Sequence, residues 1–120
     1  MKTYNNFDEQ IFMDIAKSTG NEQIIDDIGY GIYIKHFFPE RCYFDRLEED
    51  AFLIGYVDAK GFHIVGIATR PEAQGKGYAT VLVQRAIKYC QSKGIKKIRT
   101  KTLSGKDFYQ RTFRAQIVGM

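Results

Sequence analysis

A short glycine-rich segment lies between a strand pattern and a helix pattern, and its residue types suit anion binding. Residues 62–69 are rich in β-branched and small apolar side chains, which is typical of a strand covered on both faces. Gln-Gly-Lys-Gly follows at residues 74–77, and apolar residues then recur at spacings of three and four, which predicts a helix ended by Gly94. The first N–H groups of a helix lack partners within it, and the helix dipole adds positive charge there. We therefore predict a phosphate-binding turn, with a turn that only reverses the chain as the alternative.

Two widespread phosphate-binding motifs do not fit this segment. A Walker P-loop needs Ser or Thr directly after its lysine and a glycine five residues before its second glycine, but Gly77 and Arg70 occupy those positions. The dinucleotide fingerprint needs Gly or Ala where Thr80 lies, and an acidic residue about twenty residues later, where residues 95–100 are basic. The segment therefore favours neither of these two nucleotide classes.

Residues 74–79, Gln-Gly-Lys-Gly-Tyr-Ala, resemble the Q/R-x-x-G-x-G/A signature of the GNAT superfamily of N-acetyltransferases. Residues 68–72 are also similar to the passage from strand to loop in that family. The resemblance implies an α/β (α+β) fold with a mixed, mainly antiparallel sheet and flanking helices. It also implies acetyl-CoA as the co-substrate, with its pyrophosphate held by this loop.

The resemblance assigns the cofactor contacts residue by residue. The central strand of the family binds the pantetheine arm and the thioester carbonyl through its backbone, and small residues such as Gly66 would allow a close approach. The matching strand positions are Ile67, Ala68 and Thr69, and Thr102 stands at the family's asparagine on the next strand. The matching loop positions are Gln74, Gly75, Lys76, Gly77, Tyr78, Ala79 and Thr80.

A tyrosine that protonates the leaving thiolate is also implied by the resemblance. The family carries it in a pattern like N-x-x-A-x-x-F-Y, to which residues 102–109 are similar, with Tyr109 at the acid position. Gly105 replaces the alanine of that pattern, and Thr112 replaces the glycine that follows it. A phenol, which titrates near pH 10, can donate a proton to a thiolate. The alternative is that Tyr109 only packs in a short helix.

His63 is the candidate for the base that deprotonates the amine. The histone-acetylating branch of the family has a glutamate eleven residues before the signature's glutamine, and His63 occupies that position here. An imidazole changes charge near neutral pH, so it could accept the proton directly or through water. The alternatives are a hydrogen-bonded structural role for His63 and three rival carboxylates in a charged turn, Glu48, Glu49 and Asp50.

The order of predicted elements runs through the whole chain. Helices are predicted at residues 7–18 and 22–37, strands at 41–47, 51–59 and 62–69, a parallel strand at 95–103, a short helix at 105–113 and a last strand at 114–118, with a weak first strand at 1–6. The apolar face of the second helix is predicted to contain Ile24, Ile25, Ile28 and Ile32, with Tyr33 and His36 beside them. This order resembles the GNAT fold, although it ends one strand early. A minimal version of the fold, or one completed by a strand of a second copy, would explain that end.

Length and composition set the broad class. The 120 residues predict one domain spanning 1–120, and 44% hydrophobic and 27% charged residues are ordinary for a globular protein. No apolar run approaches 18 residues and the N-terminus is polar, which favours a cytoplasmic protein without a membrane span or signal peptide. Cys42 and Cys90 lie far apart without metal-ligand spacing, so no metal is expected. The net charge of +4 fits a solvated basic face, a CoA phosphate contact or nucleic-acid binding, although no nucleic-acid motif accompanies it.

The sequence thus predicts an N-acetyltransferase that transfers an acetyl group directly from acetyl-CoA to a small-molecule or peptide amine. A non-catalytic acyl-CoA-binding regulatory module is one alternative, and a basic nucleic-acid-binding domain is another. The acceptor and the oligomeric state, including a homodimer, stay open at this stage.

Overall fold

A computed structural model describes residues 6–100, which form three helices, two short 3-10 turns and a sheet. The helices are α1 (Glu9–Thr19), α2 (Glu22–Phe37) and α3 (Tyr78–Lys93). The strands are β1 (Cys42–Leu47), β2 (Ala51–Asp58), β3 (Gly61–Thr69) and β4 (Ile98–Thr100), and the 3-10 turns are Pro39–Arg41 and Pro71–Ala73. The predicted strands at 1–6 and 114–118, the predicted helix at 105–113, Thr102 and Tyr109 lie wholly or almost wholly outside the described residues.

The described strands form one mixed sheet in the order β1-β2-β3-β4. The pairs β1–β2 and β2–β3 are antiparallel, and α3 crosses over so that β4 runs parallel to β3. This confirms the predicted α+β fold with a mixed, mainly antiparallel sheet and flanking helices.

Local capping sets the ends of the helices. Asp8 caps α1 by accepting a hydrogen bond from the Ile11 N–H at 3.0 Å, so the helix begins two residues after the predicted start. Asn21 caps α2 in the same way, and α2 has the predicted bounds. The N–H of Ile95 still bonds to Cys90 O at 2.9 Å, which is why β4 begins at Ile98 rather than at residue 95.

The sheet separates two apolar cores, so β3 is buried on both faces as predicted. One core packs α3 against the sheet and contains Tyr43, Phe62, Ile64, Leu82 and Ile87, among others. The other packs α1 and α2 against the opposite face and contains Phe12, Ile28, Phe44, Phe52 and Val65, among others. Rings stack in this second core, where Phe12 and Phe52 lie 4.5 Å apart.

The predicted apolar face of α2 is partly wrong. Tyr33 and His36 are exposed, whereas Gly31 and Ile34 face the core. A methyl group at Gly31 would lie 2.8 Å from Ile54 Cγ2, a side chain that is fully buried. Because Gly31 has no side chain, α2 can pack closely on β2 along this side, and its aromatic residues are left on the outside.

A β-bulge bends β3 at its centre. Ile54 pairs with Gly66 and Gly55 pairs with Ile64, so Val65 is an extra residue in β3. A bulge of this kind kinks its strand and increases the local twist. Beyond the bulge, β3 continues to Thr69, whereas the described pairs between β3 and β4 involve only Phe62, His63 and Ile64.

Candidate functional site

The loop between β3 and α3 has the backbone that its two glycines predict. Gly75 and Gly77 have φ values of 83° and 82°, in the left-handed region that favours glycine. A methyl group on either residue would meet no atom within 4 Å, so the backbone conformation rather than crowding requires glycine there. The side-chain Nε2 of Gln74 donates a hydrogen bond to Thr69 O at 3.3 Å and ties the loop to the end of β3.

Backbone N–H groups in the first turn of α3 have no acceptor among the described residues. Gly77 is the N-cap residue and supplies no side-chain hydrogen bond, and the first turn contains no acidic residue. Within the described part of the chain, the first N–H of α3 with a backbone acceptor is that of Val81, which bonds to Gly77 O at 3.1 Å. Among residues 6–100, the N–H groups of Tyr78, Ala79 and Thr80 thus have no backbone acceptor, so they are available to a ligand or to water.

A cavity of about 280 Å³ lies over this turn. It is lined by Thr69, Ala73, Gln74, Gly75, Gly77, Tyr78, Ala79 and Thr80. Seven of the cofactor positions from the sequence thus lie around one cavity: Thr69, Gln74, Gly75, Gly77, Tyr78, Ala79 and Thr80. Lys76 is exposed and is not part of the lining.

The strand positions predicted to contact the cofactor offer backbone rather than side chains. Ile67 packs in the core under α3, and Ala68 packs in the core on the opposite face of the sheet. In the described residues, the pairs between β3 and β4 end at Ile64, so no described strand covers the backbone edge of residues 65–69 on that side. This edge leads from the bulge to the cavity.

His63 lies at the other end of β3, in a well-defined environment. Its Nε2 atom is 2.8 Å from Asp58 Oδ1, and its ring stacks on that of Tyr56 with centroids 4.6 Å apart. Six residue steps separate His63 from Thr69, about 20 Å along an extended strand. His63 is therefore remote from the cavity and lies on the β4 side of the bulge.

Two neighbouring groups have shifted pKa values. The hydrogen bond with His63 lowers the pKa of Asp58 below its ordinary value. Burial and a hydrogen bond with Tyr30 raise the pKa of Tyr56 to about 12. The carboxylate of Asp58 fixes the orientation of the imidazole, which suits either a structural role or a base whose position is held.

The three rival carboxylates lie near the loop, at the end of β3 opposite to His63. The turn of Glu48, Glu49 and Asp50 meets the end of β3, where Arg70 Nε donates to Glu49 O at 2.6 Å and the Arg70 N–H donates to Asp50 O at 2.8 Å. The side chains of Glu48 and Glu49 are exposed. This turn anchors the start of the loop through its backbone carbonyl groups.

Asp27 on α2 is a buried carboxylate at the bulge and was not among the predicted site residues. It is 8% exposed and accepts a hydrogen bond from Gln23 Nε2 at 3.2 Å. A methyl group at Gly66 would lie 2.8 Å from Asp27 Cβ, so Gly66 is small because α2 packs there. This differs from the sequence interpretation, in which Gly66 leaves room for the cofactor. The sequence did contain a signal for this site, because Asp27 is an acidic residue on the apolar face of α2 that carries Ile24 and Ile28.

Comparison with known proteins identifies the family. A family model described as Acetyltransferase (GNAT) family matches residues 9–113. No curated protein and no solved structure matches the chain significantly. Within residues 6–100, no helix has the length and apolar character needed to cross a membrane, and no three His, Cys, Asp or Glu residues form a potential metal site. The match covers most of the chain and includes the loop, the bulged strand and the crossover helix, so this protein belongs to the GNAT acetyltransferase family.

Proposed function

We propose that this protein is an N-acetyltransferase that moves an acetyl group directly from acetyl-CoA to an amine. Membership of the GNAT family indicates transfer of an acyl group from an acyl-CoA to an acceptor. The observation that carries the proposal is the loop between β3 and α3, whose left-handed glycines border a cavity at the end of β3.

Backbone donors, a helix dipole and a nearby lysine support binding of a diphosphate by this loop. The N–H groups of Tyr78, Ala79 and Thr80 are donors without acceptors in the described structure, and the 16-residue helix α3 contributes its dipole. No carboxylate in the first turn of α3 competes for them or repels an anion. Lys76 is exposed beside the cavity, where its ammonium group can add attraction to a phosphate without losing its hydration.

In the proposal, the pantetheine arm and the acyl group of the cofactor lie along the edge of β3. From Thr69, the backbone of Ala68 and Ile67, which no strand within residues 6–100 covers on this side, leads back to the bulge at Val65. In the proposal, the N–H and C=O groups of this edge bind the amides of the pantetheine arm, as an added strand would. The acyl end then lies near the bulge, on the path to His63.

The reaction moves two protons and exchanges one bond. The protonated amine gives one proton to a base, its nitrogen forms a bond to the acyl carbon, and the carbon–sulfur bond breaks. The departing sulfur takes a proton from an acid, and the second proton released by the nitrogen restores that acid. In the proposal, His63 accepts the first proton directly or through water, with Asp58 holding the ring. Tyr109 supplies the proton that the departing sulfur takes, an assignment that rests on the family resemblance because Tyr109 lies outside the described residues.

A reducing compartment suits the two cysteines. Cys42 and Cys90 are both buried and free. Free buried thiols are ordinary in cytosolic proteins, whereas paired cysteines are typical of exported ones. The cytoplasm is therefore the location that we propose.

Calorimetry and a thiol-release assay test the proposal. We expect acetyl-CoA to bind the full chain, and CoA to be released when a panel of primary amines is added: phenethylamine, 1,4-diaminobutane and a lysine peptide with a blocked N-terminus. Tyr109→Phe should lower kcat at least tenfold without changing the affinity for acetyl-CoA, because a general acid contributes to the chemical step. Binding without any release of CoA would support the regulatory-module alternative, and no binding at all would overturn the proposal.

A further inference from the structure

Five rings form a continuous row from the surface of α2 to β3, which we call the aromatic row: Phe37, Tyr33, Tyr30, Tyr56 and His63. Successive ring centroids lie 4.8, 6.3, 6.0 and 4.6 Å apart. The row thus connects the exposed face of α2, through β2, with the histidine proposed as the base.

The outer rings of this row are open to solvent. Tyr33 is 52% exposed and Phe37 is 57% exposed, whereas Tyr56 is half-buried and His63 is buried. Adjacent exposed aromatic rings commonly mark a binding surface. Another exposed ring nearby, Phe38, is already covered by the guanidinium of Arg41, 5.2 Å from its centroid.

The charge around the row favours a cation. Glu22 and Asp26 continue the same stripe of α2 toward its N-terminus, at spacings of four residues from each other and from Tyr30. Residues 6–34 contain six acidic residues and one lysine, although the whole chain has a net charge of +4. The nearby Lys35 instead lies over the Phe7 ring, at 5.8 Å. Aromatic faces beside carboxylates attract ammonium groups.

We infer that the aromatic row binds the acceptor and that the acceptor is an alkyl- or arylalkylamine cation, not an anionic amine. This inference rests on the proposed function and names the substrate class for it. Tyr33 and Phe37 contact the apolar body of the amine as it enters, and Glu22 and Asp26 attract its charge to this surface. The reacting nitrogen then passes along the row to His63. The row ends at His63, about three residue steps or 10 Å from Gly66 at the bulge, so the amine and the thioester approach β3 from opposite ends.

Steady-state kinetics of Tyr33→Ala and Phe37→Ala test this inference, with phenethylamine as the probe. We expect the KM for phenethylamine to rise about five- to thirtyfold in each variant, because an aromatic contact with the apolar body of the amine is lost. The KM for acetyl-CoA should stay within twofold of the wild-type value, since neither Tyr33 nor Phe37 lines the cavity over the loop. Val81→Ala, which removes an exposed apolar side chain from α3, is the matched control and should change neither KM.

A second measurement needs only the wild-type chain, so it does not depend on the folding of a variant. The kcat/KM for phenethylamine should exceed that for glycine, whose amine is next to a carboxylate, by at least a hundredfold. Comparable values for the two amines would overturn the inference, as would an unchanged phenethylamine KM in both ring variants.

The remaining outcomes separate this inference from the proposed function. If CoA binds and Tyr33→Ala and Phe37→Ala do not change the turnover of amines, the inference is overturned and the proposed function is not. CoA binding without turnover of any amine in the panel would also contradict it, and failure to bind CoA would remove the proposed function together with it. A dimer that dissociates in Tyr33→Ala while the amine KM stays constant would show that the row is an interface between copies of this chain.

Discussion

Two glycines of α2, only two residues apart, are expected to respond in opposite directions to the same substitution. Gly29 faces solvent, and a methyl group there would meet nothing within 4 Å. Gly31 faces the sheet, where a methyl group would lie 2.8 Å from Ile54 Cγ2 and 3.3 Å from Phe44 Cε1. The comparison therefore tests which face of α2 packs on the sheet and which face carries the aromatic row.

The magnitudes follow from helix propensity and packing. Alanine is favoured over glycine in a helix interior by about 1 kcal/mol, so Gly29→Ala should stabilise the protein by about that amount. Gly31→Ala gains the same propensity term but adds a methyl group to a close-packed core, which costs about 1–3 kcal/mol. Because Ile54 and Phe44 are fully buried, neither the Phe44 ring nor the Ile54 methyl group can move into solvent to make room. The free energies of unfolding of the two variants should differ by about 1–3 kcal/mol.

Urea denaturation followed by far-UV circular dichroism measures both values. The slope of the unfolding free energy against urea concentration should be the same in both variants as in the wild type, so that a change in the midpoint reports a change in stability. Equal stabilisation by the two substitutions would refute the packing of α2 described above. Stabilisation by Gly31→Ala with destabilisation by Gly29→Ala would mean that the helix is rotated and that the aromatic row does not exist.

Three further outcomes follow from the same structure. Gly77→Ala should weaken the binding of CoA in calorimetry about tenfold, and Gly77→Asn should weaken it less, because asparagine tolerates the left-handed backbone at φ 82° better than alanine does; equal losses would contradict this. The pKa of Asp58 is lowered by its hydrogen bond with His63, so this pair stabilises the folded state at pH values above the ordinary carboxyl pKa of about 3.9. The stabilisation is lost as the pH falls through the lowered pKa of Asp58. Asp58→Asn should therefore be less stable than the wild type to urea at pH 6, and the two should converge near pH 2; a constant difference would argue against the pair. Burial raises the pKa of the Cys90 thiol to about 12, so a thiol reagent at pH 8 should label Cys90 only after denaturant is added, and fast labelling of the native chain would contradict its position under α3.

Local patterns predicted much of the fold. The bounds of α2, the end of α3 at Gly94 and the burial of β3 follow from caps, glycine and apolar periodicity, all of which act within a few residues. The left-handed Gly75 and Gly77 were indicated by the loop motif itself. These features need no knowledge of what packs against them.

The parts that were not predicted depend on contacts between distant segments. The bulge at Val65 appears only when β2 and β3 are paired, and Asp27 meets Gly66 only when α2 lies across the sheet. The aromatic row combines α2, β2 and β3, so helical spacing alone placed Tyr33 beside the apolar face of α2 rather than in this row. The partner of His63, Asp58, lies five residues away across a turn and gave no motif.

The central claim is that the amides of the loop between β3 and α3 hold the diphosphate of CoA. Amide chemical shifts in an NMR titration of the full chain test it most directly, with pantetheine as the control ligand because it lacks the diphosphate. Addition of CoA should shift the amide signals of residues 75–80 most strongly, and pantetheine should leave them nearly unchanged. CoA binding that leaves those signals in place would contradict the claim.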